Sequence, residues 1–250
     1  NGCYNHEIMI LKASLHFHTK DDPKDNLSYS FEEAVDFLHK LGFEAMALTC
    51  HEKLVYSKEY AEYAASRNIL LIPGIEAKIE GKDVVVLNPD QNIEKVRTFD
   101  EMREYKKLNP QIFVMAPHPY CPHPLWKGKR SLGRKLVENI DVFDGIEMTW
   151  FASTFMNSNP KAGETAKKYN LPFIATADVH FFNFIHRYYV EIEAEAKTIE
   201  STLAALKKNK IRNVSKPANL VTDILLPGVK YLLESGSRRW FSYPKTRSTI

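Results

Sequence analysis

Residues 8–19, IMILKASLHFHT, form an apolar run that ends in two histidines, His16 and His18. The run predicts a strand from Ile8 to His18. Successive side chains of a strand point to opposite faces, so two residues that are two positions apart point to the same face. The imidazoles of His16 and His18 can therefore share one metal ion. This stretch predicts a buried strand with a metal-binding pair at its end.

Ligand-type side chains also close four later apolar runs. These runs are LTCH at 48–51, PGIE at 73–76, APHP at 116–119 and TADVH at 176–180, with the polar residues His51, Glu76, His118, Asp178 and His180. In an α/β barrel the carboxyl ends of the strands meet on one face, where the active site lies. We therefore expect these side chains to meet His16 and His18 in one pocket. Imidazole and carboxylate together suit Zn, Mn or Fe.

Helical patterns separate these strands. SFEEAVDFLHKL at 30–41 predicts a helix, because Ser30 and Glu33 form a capping-box pattern and Gly42 follows. Further helices are predicted at 57–67, 93–108, 133–139, 160–169 and 198–208, and further strands at 44–49, 70–78, 82–87, 112–117, 144–149, 172–178 and 189–194, with 82–87 antiparallel to the strand before it. Six or seven short buried strands, each followed by a helix, predict an α/β protein with a parallel sheet, and this count suits a closed barrel.

The composition is that of an ordinary globular enzyme, since 44% of the 250 residues are apolar and 26% are charged. No run of about 18 apolar residues occurs, which excludes a membrane-spanning helix. Three cysteines without metal-ribbon spacing are most simply explained as reduced thiols of a cytoplasmic protein. The net charge of +3 does not by itself indicate a nucleic-acid-binding protein, and no obligate protein partner is evident. We expect one domain over residues 1–234 and a basic tail over 235–250.

Taken together, the motifs resemble those of the PHP (polymerase and histidinol phosphatase) family of metal-dependent phosphoesterases. LHFHT, TCH where the family usually has TDH, GIE, APHP, and ADVH where it usually has SDAH follow the family's order over about residues 11–180. The resemblance implies a distorted seven-stranded, TIM-like (β/α)7 barrel. It also implies two or three divalent metal ions at the carboxyl-end mouth of that barrel.

The resemblance assigns ligands to each ion. It implies that the first ion is bound by His16, His18, Glu76 and Asp178, that Glu76 bridges to a second ion bound by His118, and that His51 and His180 bind a third. The acidic ligand of the third ion comes from KDDPKDNLSYS at 20–30, which offers Asp21, Asp22 and Asp25. Counting back from the helix cap favours Asp25, with Asp22 next.

One departure from the family pattern concerns the second ion. Many members have a histidine on the strand after GIE, whereas this chain has valine at positions 84, 85 and 86. The second ion then lacks a protein ligand, unless water, phosphate or His123 completes it. This departure leaves open the alternative of a catalytically degenerate PHP-like scaffold that binds RNA or protein.

The expected chemistry is phosphoester hydrolysis. Two neighbouring ions can acidify a bridging water, and the hydroxide then attacks phosphorus in line while metals and cationic side chains neutralise the growing charge. Asp178 or His180 could move protons, although binding a metal competes with that role. We expect a small phosphomonoester, or a nucleotide or oligonucleotide, as the substrate.

A phosphate substrate also needs cationic side chains. The loop YCPHPLWKGKRSLGRK at 120–135 contains Lys129 and Arg130 among five basic residues and has no acidic one. A loop that follows a barrel strand overhangs the active-site face, so these charges are placed to attract an anion. Lys20, directly after the first motif, is another candidate contact. A solvated surface explains all three residues equally well.

Glu147, at the end of the strand GIEMT, is a candidate carboxylate behind the metal ligands, or simply a hydrogen-bonded strand-end acid.

Overall fold

The computed structural model describes residues 8–121, 130–150, 157–180, 182 and 185–216. Within these residues the chain forms nine strands, six α-helices and two short 3-10 helices. The strands are β1 Met9–Phe17, β2 Ala45–Leu48, β3 Leu70–Ile79, β4 Lys82–Leu87, β5 Phe113–Ala116, β6 Gly145–Thr149, β7 Phe173–Thr176, β8 Tyr188–Ala194 and β9 Ile211–Ser215. The helices are α1 Phe31–Lys40, α2 Lys58–Ser66, α3 Phe99–Leu108, α4 Arg134–Glu138, α5 Asn159–Lys168 and α6 Ile199–Lys207.

The strands make one mixed sheet in the order β7-β6-β5-β4-β3-β2-β1-β8-β9. Two parallel groups, β1-β2-β3 and β5-β6-β7, are joined through β4, which is antiparallel to both of its neighbours. Strand β8 is antiparallel to β1, and β9 is antiparallel to β8. The predicted α/β class and the antiparallel pairing of residues 82–87 are therefore confirmed.

The sheet curls until its two sides meet in a nearly closed barrel. A parallel bridge joins Phe17, at the end of β1, to Val179, which follows β7. The side chain of Asn213 on β9 accepts a hydrogen bond from Ala175 N at 2.8 Å and donates one to Phe173 O at 2.6 Å, both on β7. The barrel-like α/β architecture is thus present, but the predicted count of seven strands is not confirmed, because the described residues form nine.

Apolar side chains fill the barrel and also bury its outer surface. The inner cluster takes side chains from seven strands and includes Leu11, Ala13 and Leu15 of β1 and Phe113 of β5. Two outer clusters pack helices against the sheet. The valines at 84–86 alternate between the two faces: Val85 joins the inner cluster, and Val84 and Val86 pack outside.

A β-bulge turns the end of β1 around. The pairing of β1 with β2 changes register between Ser14 and Phe17. Leu15 still packs in the inner cluster, whereas Phe17 packs in an outer one. Because a bulge re-aims the residues that follow it, His16 turns inward at the point where regular alternation would turn it outward.

The helix prediction at 30–41 is confirmed with its cap, and the one at 93–108 is wrong as a single helix. Ser30 Oγ accepts a hydrogen bond from Glu33 N at 3.2 Å, and Glu33 Oε2 accepts one from Ser30 N at 2.7 Å. Residues 93–108 instead divide into a 3-10 helix, Gln91–Lys95, and α3. They divide because Thr98 forms a second capping box with Glu101, which starts a new helix at Phe99.

Two glycines let strands approach closely. A Cβ atom on Gly74 would lie 2.8 Å from Thr49 Cγ2 and 2.9 Å from Leu48 O, and one on Gly145 would lie 2.8 Å from Phe113 Cζ. Contacts this short are not tolerated, so only glycine lets β3 lie this close to the end of β2. The position of Gly74 matters because Glu76 lies two residues further along β3.

Three predictions concern the extent and surroundings of the chain. No helix among the described residues is long and apolar enough to cross a lipid bilayer. The cytoplasmic location stays a prediction, and so does the domain boundary at 234. The basic tail at 235–250 lies outside the described residues.

Candidate metal centre

The predicted ligands meet at the carboxyl rim, the end of the barrel where β1, β2, β5 and β7 finish; Glu76 lies level with it, three residues before the end of β3. His16 Nε2 lies 3.4 Å from Asp178 Oδ1, although 162 positions of sequence separate the two residues. The imidazoles of His16, His18, His51 and His118 are buried. His180, with 29% of its side chain exposed, is the most open of the five. The structure therefore brings all seven predicted strand-end side chains into one cluster.

Four donor atoms surround the first position. His16 Nε2 lies 3.4 Å from both Glu76 Oε2 and Asp178 Oδ1, and His18 Nε2 lies 3.6 Å and 3.4 Å from the same two atoms. Ligand atoms about 2.0–2.2 Å from a tetrahedral ion lie about 3.3–3.6 Å from one another. The four distances therefore lie in the range expected for ligand atoms of one ion.

Three atoms of this group are buried without a hydrogen bond to any described residue: His16 Nε2, His18 Nε2 and Asp178 Oδ1. Buried polar groups are normally hydrogen-bonded, because leaving one unpaired costs free energy. An ion at their common centre would satisfy all three at once. The residues present therefore fit a metal ion.

Glu76 faces two positions with its two oxygens. Oε2 belongs to the first position, and Oε1 lies 3.2 Å from His118 Nε2. Oε2 also lies 2.9 Å from Nε2 of His51, which forms an isolated parallel bridge with Glu76. One carboxylate thus lies between all the groups, as expected for a bridging ligand.

A second group consists of His18, Asp25, His51 and His180, whose ligand atoms all lie within 4.8 Å of one another. Asp25 Oδ2 lies 2.8 Å from His180 Nε2 and 3.3 Å from His51 Nδ1. This is the grouping expected for the third ion, with Asp25 as its acidic member. Asp21 instead accepts hydrogen bonds from Thr19 Oγ1 and Tyr60 OH.

The third group contains a residue that the sequence analysis missed. Asp83 joins Glu76 and His118, with ligand atoms again within 4.8 Å of one another. A search confined to strand ends misses Asp83, because it stands at the start of β4. Since β4 is antiparallel, its start reaches the carboxyl rim. Asp83 is on the same face of β4 as Val85, which packs inside the barrel.

Asp22 acts behind the ligands. Its Oδ2 accepts hydrogen bonds from His18 Nδ1 at 2.8 Å, His51 Nδ1 at 2.9 Å and His51 N at 2.8 Å. A carboxylate on Nδ1 fixes the tautomer of an imidazole and leaves Nε2 with its lone pair for a metal. The second-ranked candidate from the loop thus contacts two candidate ligands through their Nδ1 atoms.

Glu147 has the same role on the other side. Its Oε2 accepts a hydrogen bond from His118 N at 2.8 Å and lies 3.4 Å from His16 Nδ1. Its Oε1 accepts one from Thr176 Oγ1 at 2.5 Å. The strand-end acid at 147 is therefore a carboxylate behind the ligands, and it connects β6 with β1, β5 and β7.

The backbone is strained at two of the candidate ligands. His118 has φ of 29° and Asp178 has φ of 41°, in a region that residues other than glycine rarely adopt. Such strain persists where the surrounding structure enforces it, and it concentrates at functional sites. Both residues follow short strands, so an abrupt turn of the chain places each side chain over the rim.

The buried charges shift one another's pKa values. Burial alone would lower the pKa of His118, but the hydrogen bond and charge of Glu76, with Glu147 and Asp178, raise it to about 9. Asp178 and Asp25 likewise outweigh burial and raise the pKa of His180 to about 10. Burial and the charge of Glu76 raise the pKa of Asp83, which His118 and Lys78 only partly offset. Cations compensate the carboxylates here, a role that a divalent ion can take over.

The candidate phosphate contacts are only partly described. Arg130 Nη1 lies 3.5 Å from His51 Nε2, so its guanidinium flanks the cluster. The side chain of Lys20 is exposed, and its backbone N donates to Tyr29 O at 2.9 Å. Lys129 and His123 lie outside the described residues. Of the two contacts that lie within the described residues, Arg130 is the one that approaches a candidate ligand.

A family model described as PHP-associated matches residues 157–211, which include α5, β7, Asp178 and His180. No curated protein is significantly similar in sequence to this chain. The resemblance to the PHP family that the motifs indicate is confirmed by this match, together with the solved structures that follow.

Solved structures share the fold at low identity. A two-domain protein described as containing a predicted PHP-like metal-dependent phosphoesterase, from Bacteroides vulgatus, has a TM-score of 0.66 and 20% identity, covering 83% of this chain and 65% of that one. The lesion-specific endonuclease Q from Pyrococcus furiosus gives 0.58 and 15%, covering 82% and 58%. An amidohydrolase from Chromobacterium violaceum gives 0.53 and 14%, covering 82% and 98%. The chain thus spans less than two thirds of the first two proteins.

Proposed function

We propose that this protein is a metal-dependent phosphoesterase, a hydrolase that binds two or three divalent ions at the carboxyl rim. The observation that carries the proposal is the set of four donor atoms at distances expected for ligands of one ion, three of which have no hydrogen bond within the described residues. The phosphoesterase and endonuclease activities named for two structural neighbours support the choice of reaction.

Each group has ligands of its own under this proposal. His16, His18, Glu76 and Asp178 bind the first ion, Glu76 and His118 bind the second, and Asp25, His51 and His180 bind the third. Divalent ions held there would supply Lewis-acid chemistry, by neutralising phosphoryl oxygens and activating a water for attack at phosphorus. Imidazole with carboxylate is compatible with Zn, Mn or Fe.

The protein's own side chains prepare the site. Asp22 holds the rings of His18 and His51, so their ligand nitrogens do not have to reorganise during the reaction. Glu147 faces the ring of His16 and accepts a hydrogen bond from the backbone N of His118. His180 is open enough to meet a substrate, and when the third position holds no ion its Nε2 can hold a proton shared with Asp25 Oδ2 at 2.8 Å. Asp178, with 13% of its side chain exposed, is the carboxylate of the first group closest to the opening.

The substrate is an anion under this proposal, either a small phosphomonoester or a nucleotide or oligonucleotide. Arg130, Lys129 and Lys20 are its proposed contacts, and the guanidinium of Arg130 beside His51 supports the first of these. A guanidinium can bind two phosphoryl oxygens with two parallel hydrogen bonds. The endonuclease neighbour supports including oligonucleotides among the substrates.

The test is hydrolysis by the chain after metal loading. Protein stripped with a chelator and reloaded with Mn²⁺ or Zn²⁺ is assayed on p-nitrophenyl phosphate, bis-p-nitrophenyl phosphate and a phosphorylated oligonucleotide, with His16→Ala as the control. We expect hydrolysis that the chelator and His16→Ala both abolish. Loaded protein that is inert on every ester but cleaves an amide would indicate an amidohydrolase. Wild-type protein that retains less than one equivalent of metal would indicate the binding scaffold.

A further inference from the structure

We infer that Asp83 is the missing protein ligand of the second metal position, and that Lys78 positions it. The inference rests on the proposed function, because it assigns a ligand within the same cluster. Valines at 84–86 left this position with Glu76 and His118 alone. The structure places a carboxylate one residue before the valines, beside these two side chains.

The surroundings of Asp83 are those of a ligand rather than of a surface acid. The residue is 2% exposed, and its Oδ2 has no hydrogen-bond partner among the described residues. Its backbone N donates to Arg130 O at 3.1 Å, which ties the start of β4 to the segment that carries the candidate phosphate contact. A buried and unsatisfied carboxylate oxygen is costly unless a cation meets it.

Lys78 accounts for the other oxygen. Lys78 and Asp83 are paired residues on antiparallel β3 and β4, and Lys78 Nζ donates to Asp83 Oδ1. The side chain of Lys78 is 28% exposed, so its ammonium keeps contact with solvent. With Oδ1 held by the ammonium, Oδ2 is the oxygen left for an ion. Register and charge thus orient the carboxylate toward Glu76 and His118.

A carboxylate in place of an imidazole changes which ion the position prefers. The second position then has two carboxylates and one imidazole, whereas the first has two imidazoles and two carboxylates. Oxygen-rich ligand sets favour Mn²⁺ or Mg²⁺, and imidazole favours Zn²⁺. We therefore expect the second position to hold Mn²⁺ in preference to Zn²⁺, and Asp83→His to reverse that preference.

The test measures metal binding rather than turnover. Chelator-stripped wild-type, Asp83→Asn and Asp83→His proteins are titrated with Mn²⁺ and Zn²⁺, and bound metal is counted by equilibrium dialysis with elemental analysis. We expect Asp83→Asn to weaken Mn²⁺ binding at the second position by at least about 10-fold and to leave binding at the first position unchanged. We expect Lys78→Met to weaken Mn²⁺ binding at that same site while the number of sites stays constant, a change that a merely structural role would not produce.

Asp144→Asn is the matched control. Asp144 also pairs with a lysine, since Lys106 Nζ lies 2.8 Å from its Oδ1, but it precedes β6 at the opposite end of the barrel. We expect this variant to bind metal like the wild type. Circular dichroism checks that each variant is folded. Anomalous scattering from Mn²⁺-loaded wild-type crystals, with a peak at Asp83 and His118, supports the inference without any variant.

Two results would overturn the inference, and they differ. Unchanged Mn²⁺ number and affinity in Asp83→Asn, or an anomalous map of loaded crystals without a peak at Asp83, would remove Asp83 from the ligands and leave the proposed function standing. Wild-type protein that binds less than one equivalent of either metal would overturn both proposals together.

Discussion

The interior of the barrel and its carboxyl rim use the same strands in opposite ways. On β1, Leu11 and Leu15 pack in an apolar cluster that seven strands share. One residue later, His16 faces a carboxylate on each side of its ring, Glu76 at 3.4 Å and Glu147 at 3.4 Å. Burial of apolar side chains in the interior stabilises the fold, whereas the buried charges of the rim and the strained backbone at His118 and Asp178 destabilise it. We therefore expect substitutions in the interior to change the free energy of unfolding, and substitutions at the rim to change metal binding and activity.

The largest expected effect is on the rim. Asp178→Asn should lower the proposed phosphoesterase activity by at least about 1000-fold, because loss of metal chemistry costs several kcal/mol of transition-state stabilisation. The melting temperature should stay near that of the wild type, since the change leaves the interior intact. Activity assays and thermal unfolding of one preparation check both parts. A variant that is unfolded, or one that is fully active, would contradict this expectation.

The opposite variant lies in the interior. Phe113 is fully buried and packs against Gly145. Phe113→Ala should lower the free energy of unfolding by about 3–5 kcal/mol, as the cavity left by a large core side chain does. Metal content at saturation should not change as long as the variant is folded. Urea unfolding and elemental analysis test this, and loss of metal from folded protein would show that the interior and the rim are coupled.

A smaller effect is expected for the residues that orient the ligands. Glu147→Gln keeps the shape of the side chain but removes the charge that supports His16 and the backbone of His118. Metal affinity should fall by about 10–100-fold, with the number of ions unchanged at saturation. Calorimetric titration measures the affinity. Glu138→Gln on α4, where the side chain is 54% exposed, is the matched control, and an equal loss there would refute the role of Glu147.

The smallest effect is expected at an exposed helix cap that belongs to neither region. Ser30→Ala removes the acceptor that Glu33 N uses at 3.2 Å. The free energy of unfolding should fall by about 1 kcal/mol, with metal affinity and activity unchanged. Chemical denaturation measures the change in stability. Altered metal affinity would mean that α1 transmits its packing to Asp22 and Asp25 in the preceding loop.

Sequence patterns within a few residues predicted the features that depend on neighbouring residues alone. The capping box at Ser30, the strand ends and the histidine pair on β1 follow from residue type and spacing. The position of Asp83 required the direction of β4 to be combined with the location of the rim, although both were within reach of the sequence. The β-bulge before Phe17 had no local signal, because it depends on how β1 pairs with β2.

Strand β9 was not predicted from the sequence, for a related reason. Three of the five residues 211–215, IRNVS, are polar and none is fully buried, so they lack the apolar alternation that marks a buried strand. Their pairing with β8 and the role of Asn213 appear only when distant segments meet. The division of 93–108 differs from this case, since the capping box at Thr98 and Glu101 was present in the sequence and marks a helix start.

The side-chain amide of Asn213 imitates a peptide group where β9 meets β7. It offers one acceptor and one donor to Ala175 and Phe173, as a neighbouring strand would. Within the described part of the chain, β9 is thus joined to β7 by the hydrogen bonds of one side chain and not by a backbone ladder. Opening the barrel would therefore break these two hydrogen bonds and the two backbone hydrogen bonds of Val179, and we expect the Ala175 amide proton to exchange with solvent sooner than those of β3.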